Sequence, residues 1–296
     1  MIKLMSDVKK SNLQPLILAV SGGVDSVVML DFLSRQYDNL VVAHFEHGIR
    51  GETSRADARF VRELAKKYRL PYEIASGDLG GLASEDEARQ ARYRFLRTVA
   101  RERHGQLCTA HHADDVLESI AINLKRGTGW RGLAVMGASD VSRPLLNWTK
   151  AQILEYALEH KLEWREDETN HQPIYLRNVL RQKLQDNLRL GEKEMIFELF
   201  ERQSYLRQGI DRILSQMINQ SARYRRYVFV MAKDSLAREM LAFVVKWHTG
   251  VSLTRPQLDR AILAIKTAHQ GETRQLAAGA KLVFSTRFFV VKTDKK

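Results

Sequence analysis

Apolar residues near the start of the chain come in short unbroken runs, separated by longer stretches with helical spacing. Leu16-Ile17-Leu18-Ala19-Val20 is one such run. Branched at Ile17 and Val20, it suits a strand buried on both faces, as in a parallel sheet covered by helices. It stops at Ser21-Gly22-Gly23-Val24-Asp25-Ser26, and Val27-Val28-Met29-Leu30 opens an amphipathic pattern, so the stretch predicts strand, tight turn and helix. Further strands are expected at residues 40–43, 71–74 and 106–110. Charged helices are expected at 53–68, with Phe60, Leu64 and Ala65 inward, and at 84–103. This alternation predicts an α/β fold with a parallel sheet.

After Arg143-Pro144-Leu145-Leu146, Thr149 is placed to cap a helix over 150–160. Residues 182–220 read as a long charged helix with Leu188, Ile196, Leu199, Phe200, Leu206, Ile210 and Leu214 as its apolar stripe, a helical linker without glycine-serine composition. Beyond it, helices over 235–247 and 254–267 precede strands over 281–286 and 287–292, a small α+β module. The expected organisation is a catalytic domain over 1–185, a helical linker over 186–220 and a basic C-terminal domain over 221–296.

The first turn carries candidate chemistry. Without a Cβ at Gly22 and Gly23, successive amides can converge on a phosphate oxygen, and the following helix N-terminus adds partial positive charge. Ser21 and Ser26 can donate hydroxyls to the same phosphates. A carboxylate at Asp25 beside a polyphosphate calls for an intervening cation such as Mg²⁺. Neither GxxxxGK[ST] nor GxGxxG is present. The second strand ends at His44-Phe45-Glu46-His47-Gly48, which in an open α/β sheet faces the same crevice and could frame adenine or ribose.

A second informative stretch follows the fourth strand. On a helix, His111, Asp114, Asp115 and Glu118 fall at i, i+3, i+4 and i+7, a single face. Gathering that much negative charge needs cations, either Mg²⁺ or an amino-bearing substrate, although the same spacing also fits a solvated face. Arg89 and Arg92, three apart, could clamp phosphates or pair with Glu85. Arg126 and the Gly-rich turn with Trp130 and Arg131 offer a base-stacking platform, and Arg177 and Arg181 stand i, i+4 on another helix.

Charge sharpens this picture. The chain of 296 residues carries a net +12, of which residues 221–296 hold +10, with 15 Lys and Arg against 5 Asp and Glu. A near-neutral body with a basic appendage suits an enzyme with a polyanion-gripping module. Arg223, Arg225 and Arg226 interleave there with Tyr224 and Tyr227, which suits phosphate forks and base stacking. Cys108 is the lone cysteine, which excludes an intrachain disulfide or a CxxC pair. No run approaches the roughly 18 apolar residues of a membrane span, so a cytoplasmic location without membrane contact is expected.

Taken together, SGGVDS, HGIRGETSRAD, EARQARYRFL, TAHHADDVLES, KRGTGWRGL, RPLL and DETN followed by YLRNVLR resemble the motifs of the tRNA(Ile)-lysidine synthetases, members of the PP-loop ATP pyrophosphatases. Departures are Val116-Leu117 for a polar and small pair, Ser119 for Thr, and Glu46 where Asp is frequent. The resemblance implies a Rossmann-like PP-loop domain of the adenine nucleotide alpha hydrolase type. It also implies ATP and Mg²⁺ as cofactors, with free L-lysine and the CAU-anticodon tRNA(Ile) as substrates. No obligate protein partner is evident, and a homodimer is compatible with the sequence.

By that resemblance Asp25, Asp114, Asp115 and Glu118 are catalytic. Residues Ser21, Gly22, Gly23, Val24, Asp25, Ser26, His47, Arg89 and His111 bind ATP. Asp115 and Glu118 hold lysine, and Asp25 and Asp114 hold the metal. Arg92, Arg126, Trp130, Arg131, Arg177, Arg181, Arg223, Arg225 and Arg226 meet tRNA. Three alternatives stay open: a tRNA-thiolating enzyme, disfavoured by the lone cysteine; a PP-loop ligase or amidotransferase acting on another base or a small molecule; and an RNA-binding protein with a relic nucleotide fold.

Overall fold

The computed structural model describes residues 14–46, 52–77, 85–127, 129–138, 140–165, 180–181, 183–184, 188–218 and 223–293. His47 and Arg177 lie outside them. The chain divides into two compact units, one of residues 1–122 and 135–198, the other of residues 123–134 and 199–296.

In the first unit, β1 (Leu16–Ala19), β2 (Leu40–Glu46), β3 (Tyr72–Ser76), β4 (Gln106–Cys108) and β5 (Val141–Ser142) form one sheet in the order β3-β2-β1-β4-β5. Every pairing is parallel. The helices are α1 (Val24–Ser34), α2 (Glu52–Lys67), α3 (Glu85–Glu102), α4 (Ala113–Lys125) and α5 (Lys150–Glu159). Strand order reverses direction between β1 and β4, and a ligand crevice opens at that switch point, beyond the carboxyl ends of the strands. Alternate β1 residues feed two cores, Leu16 and Leu18 with α1, α2 and α5 on one face, and Ile17 with Leu96 and Val99 of α3 on the other.

Two sequence expectations shift. The pattern after Gly23 suggested an amphipathic helix, but α1 buries Val24, Ser26, Val27, Val28, Met29, Leu30, Asp31 and Leu33, so it is enclosed almost all round. Asp31 is tolerated there because Arg35 Nε, Tyr68 OH and Tyr156 OH donate to its carboxylate at 2.7, 2.7 and 2.8 Å. Burial alone would raise its pKa, and these donors bring it below the usual value instead. The fifth strand, two residues long, was not anticipated. Thr149 caps α5 as expected, in a capping box with Gln152.

The second unit holds α6 (Leu190–Met217) from Leu199 onward, β6 (Tyr224–Arg225), α7 (Arg226–Met231), α8 (Asp234–Thr249), α9 (Arg255–Thr267), β7 (Thr273–Gln275), β8 (Ala280–Phe284) and β9 (Phe288–Thr293). Its sheet is antiparallel in the order β6-β9-β8-β7. Leu241, Ile265, Leu282 and Phe289 centre its core, which Leu214 and Ile218 also join. Among the described residues, no helix is long and apolar enough to cross a membrane.

Asp31→Ala leaves two tyrosine hydroxyls and a guanidinium without their acceptor. We expect a loss of ~1–3 kcal/mol in urea unfolding, with Asp31→Asn recovering part of it.

Candidate active site

The loop between β1 and α1 is wound around a single oxygen. The amides of Ser21 and Gly22 both donate to Ser26 Oγ, at 3.1 and 3.2 Å, and that hydroxyl donates to Gly23 O at 2.8 Å. Ser21 Oγ lies 3.2 Å from it. Two amides of the loop expected to meet phosphate thus converge here on a serine hydroxyl inside the loop. Gly22 has φ +96°, in the left-handed region that penalises any Cβ, so its glycine is required by the backbone. Gly23 caps α1 without a side chain, leaving the first helical amides open to an anion.

Asp25, on the first turn of α1, points its carboxylate toward groups from β4–α4 and from α5. Lys150 Nζ sits 2.5 Å from Asp25 Oδ1, and the Lys150 amide, at the start of α5, donates to Asp114 Oδ2 at 2.8 Å. Asp114 thus holds the end of the helix that delivers the Lys150 ammonium to Asp25. A carboxylate at a helix N-terminus is also favoured by the helix dipole.

Between these groups stands His112, which sequence reasoning passed over in favour of His111. Its Nε2 is 3.6 Å from Asp115 Oδ2 and 3.9 Å from Asp25 Oδ2, and its Nδ1 is 3.6 Å from Asp114 Oδ2. These separations exceed hydrogen-bond length, and Nδ1 is buried without a bonded partner. Burial disfavours a charged ring, but Asp114, Asp115 and Asp25 outweigh it and hold His112 above the ordinary histidine value. The His112 contact in turn holds Asp114 down at about 2, against burial and with help from the Lys150 amide.

His111 departs from the expected helical face. The helix begins at Ala113, with Asp115 Oδ2 accepting from the His112 amide at 3.0 Å, so residue 111 precedes the helix and helical spacing does not apply to it. His111 Nδ1 pairs with Thr109 Oγ1 at 2.8 Å. Burial pushes it down to about 4, with Arg143, Arg89 and Arg92 opposing its charge and Asp115 favouring it. His44 is likewise structural in its contacts: its Nδ1 bonds Val20 O at 2.8 Å and burial lowers its pKa.

Glu118 stays on the α4 face with Asp114 and Asp115, its side chain 2% exposed, and Arg181 binds it through Nε at 2.5 Å and Nη2 at 3.3 Å. Arg181 was expected to face RNA. It is instead turned inward because a carboxylate buried to this degree requires a paired charge. Asp25, His112, Asp114, Asp115, Glu118, Lys150, Arg181 and Lys193 line one cavity of about 120 Å³. A water needs ~10–15 Å³ by the same measure, so several waters or a small ligand fit. Among the described residues no three His, Cys, Asp or Glu side chains form a metal cage. Mg²⁺ commonly takes one or two carboxylates with phosphates and waters, a donor set that Asp25 and Asp114, facing one imidazole, are able to offer.

In the second unit, Arg131 binds Asp211 at 2.9 Å and Glu239 at 2.5 Å, and the Trp130 indole N–H donates to Glu239 at 3.0 Å. The expected stacking platform is thus tied into its own unit, its cation already paired. Arg226 donates to Ile265 O at 2.7 Å and Ser285 O at 3.2 Å, a packing role in place of the expected RNA contact. Arg126, Arg223 and Arg225 are exposed.

A family model described as the PP-loop domain matches residues 1–188, nearly two thirds of the chain. The chain belongs to the PP-loop family. A tRNA(Ile)-lysidine synthase of Actinobacillus pleuropneumoniae serotype 3 is 37% identical over 177 residues, 57% of this chain and 41% of that protein. One from Thermotoga maritima is 32% identical over 271 residues, 85% of this chain and 64% of that protein. This chain therefore spans less than two thirds of the length of these relatives. A U34-tRNA thiolase structure from Methanococcus maripaludis has a TM-score of 0.57 at 22% identity, covering 67% of this chain and 75% of that one, which bears on the fold alone. The SGGVDS turn lies at the β1 tip, and α4 supplies acidic residues to the cavity that Asp25 lines.

Stability should depend on pH through both His112 and Asp114. His112 has a folded value above its unfolded one, so its contribution is complete below about pH 6.5 and is lost as pH rises through the raised value. Asp114 is the reverse, contributing on the order of 2 kcal/mol above pH 3.8 and losing it toward pH 2. Unfolding free energies from pH 2 to 9 should show both limbs. His112→Asn should flatten the alkaline one, and an unchanged slope would contradict the assignment.

Proposed function

We propose that this protein is an ATP-dependent RNA-modifying ligase of the cytoplasm, joining free L-lysine to C2 of the wobble cytidine in the CAU-anticodon tRNA(Ile). The observation that carries the reading is the shared cavity. The PP-loop helix brings Asp25, and α4 brings Asp114, Asp115 and Glu118, into one recess beside a loop suited to phosphates. Similarity to the lysidine synthases supports the choice of substrates.

In this reading the amides and hydroxyls of Ser21–Ser26 receive the ATP phosphates, and the Lys150 ammonium, already at this edge, faces their negative charge. Asp25 and Asp114 would hold Mg²⁺, which supplies charge neutralisation on the phosphates. The cytidine C2 oxygen attacks the α-phosphorus, the bond to the β-phosphate oxygen breaks, and pyrophosphate leaves. The lysine ε-amine then adds to C2, sheds a proton, and the C2–O bond breaks to release AMP. Adenylation is needed because a carbonyl oxygen leaves poorly, whereas AMP leaves well.

Free lysine is a zwitterion with an extra amine, and the Glu118–Arg181 pair offers one partner to each end of its α-amino acid group. Asp115, beside His112, is placed to take a proton or hold the second nitrogen in position. Catalysis of this kind is mostly positioning and electrostatics. The base must leave its stack to enter, which suits a single-stranded anticodon loop. Of the arginines expected to meet RNA, Arg126 and Arg225 are exposed and would face the RNA backbone in this reading.

The direct measurement is incorporation of labelled lysine into a CAU-anticodon tRNA(Ile) transcript with ATP. Asp25→Ala should lower turnover by at least 10³-fold while tRNA binding in a gel-shift assay survives. Glu118→Gln should raise the lysine KM about tenfold or more with little change in ATP affinity. Failure of the wild-type protein to incorporate lysine while it binds ATP would refute the reading.

A further inference from the structure

Helix α6 leaves part of its apolar surface uncovered. Phe200 and Leu214 are buried, but Leu199, Leu206 and Ile213, spaced seven residues apart, are exposed on another line of the same helix. Met195 precedes that line by four residues and Met217 extends it by four, both exposed as well. Leu206 is 50% exposed and Ile213 54%, so water covers half of each. A seven-residue apolar repeat keeps one line of a helix turned toward a neighbouring helix. Single exposed apolar residues are ordinary, whereas a run of this kind along ~33 Å of one helix marks a contact surface.

The line is also symmetric about its middle. Leu199 and Ile213 stand seven residues to either side of Leu206, and Met195 and Met217 stand eleven. Turned end for end, it matches itself, which is what a two-fold contact between identical surfaces demands. Leu206 then meets its own copy, Leu199 meets Ile213 and Met195 meets Met217. Charge runs in the same sense. Residues 192–201 carry four glutamates against Lys193, and residues 202–212 carry three arginines against Asp211. Antiparallel pairing lays the acidic end of each helix on the basic end of the other, whereas parallel pairing lays like on like.

Gly209 follows Leu206 by three residues and precedes Ile213 by four, so it borders the same line. A Cβ there would meet nothing within 4 Å, so packing within the chain does not require its small size. Glycine weakens a helix interior, and at this place it makes room for a second backbone to approach. We propose that α6 pairs with α6 of a second copy of this chain, antiparallel about a two-fold axis at Leu206. Two such helices remove roughly 700 Å² from water, below the about 1,200 Å² at which stable complexes begin, so the dimer is a reversible one. The pairing does not depend on which reaction the protein catalyses.

The test is sedimentation velocity of the full chain between ~1 and ~200 µM, a range in which the wild type should pass from monomer to dimer. Leu206→Glu sets two carboxylates against each other at the axis and should weaken association about tenfold or more. Gly209→Gln should weaken it too, by filling the gap, and decides the matter if Leu206→Glu does not fold. Leu263→Glu, exposed on α9, should leave it unchanged. Direction is read by cross-linking with a short bismaleimide, since the native Cys108 is buried. Leu199→Cys mixed with Ile213→Cys should link between chains, and Leu199→Cys alone should not. A wild-type chain that stays monomeric, a dimer indifferent to both Leu206→Glu and Gly209→Gln, or Leu199→Cys linking to itself overturns the pairing.

Discussion

Gathering four carboxylates in one recess is electrostatically uphill, and the arrangement of the first unit is organised around making it tolerable. Two unit charges 4 Å apart near a protein surface interact by about 4 kcal/mol, so Asp25, Asp114, Asp115 and Glu118 cannot share a cavity without cations among them. The cations come from distant parts of the chain. Lys150 reaches Asp25 from α5, Arg181 reaches Glu118, and His112 sits between three of the acids. Each carboxylate thereby faces a cationic side chain or the His112 ring brought in from another part of the chain.

The sheet supplies the precision this requires. Because β1 and β4 are neighbours with their loops at the same end, Asp25 and the α4 acids are brought together by short connections from buried strands. Behind them Asp31 joins α1 to Tyr156 of α5 and to Tyr68 beyond α2. That polar hub fixes how far α5 stands from α1, and so whether the Lys150 side chain meets Asp25. A buried acid well away from the cavity thus sets a distance inside it.

Much of this was legible in the residues. Unbroken apolar runs announced the central strands, and glycines flanked by Ser21, Asp25 and Ser26 announced the loop, since few other arrangements need those residue types at that spacing. The two-residue strands Val141–Ser142 and Tyr224–Arg225 carry no periodicity and left no trace. The exchange of His111 for His112 came from extending helical spacing one turn too far. Arg131, Arg181 and Arg226 show a different limit: an arginine reads alike whether it faces phosphate or a carboxylate 80 residues away, and tertiary pairing decides which. Lys150 was hidden for the same reason, as an ordinary residue after a helix cap.

One contact links the signature loop to a part of the chain far beyond it. The amide of Arg165 donates to Gly22 O at 3.0 Å, and its guanidinium is paired with Asp57 of α2. Gly22 sits at φ +96° with its amide on Ser26 Oγ, so a flip of the Gly22–Gly23 peptide plane would have to release this latch. The segment after α5 is therefore tied to the loop and steadies the orientation in which the Gly22 carbonyl points to it.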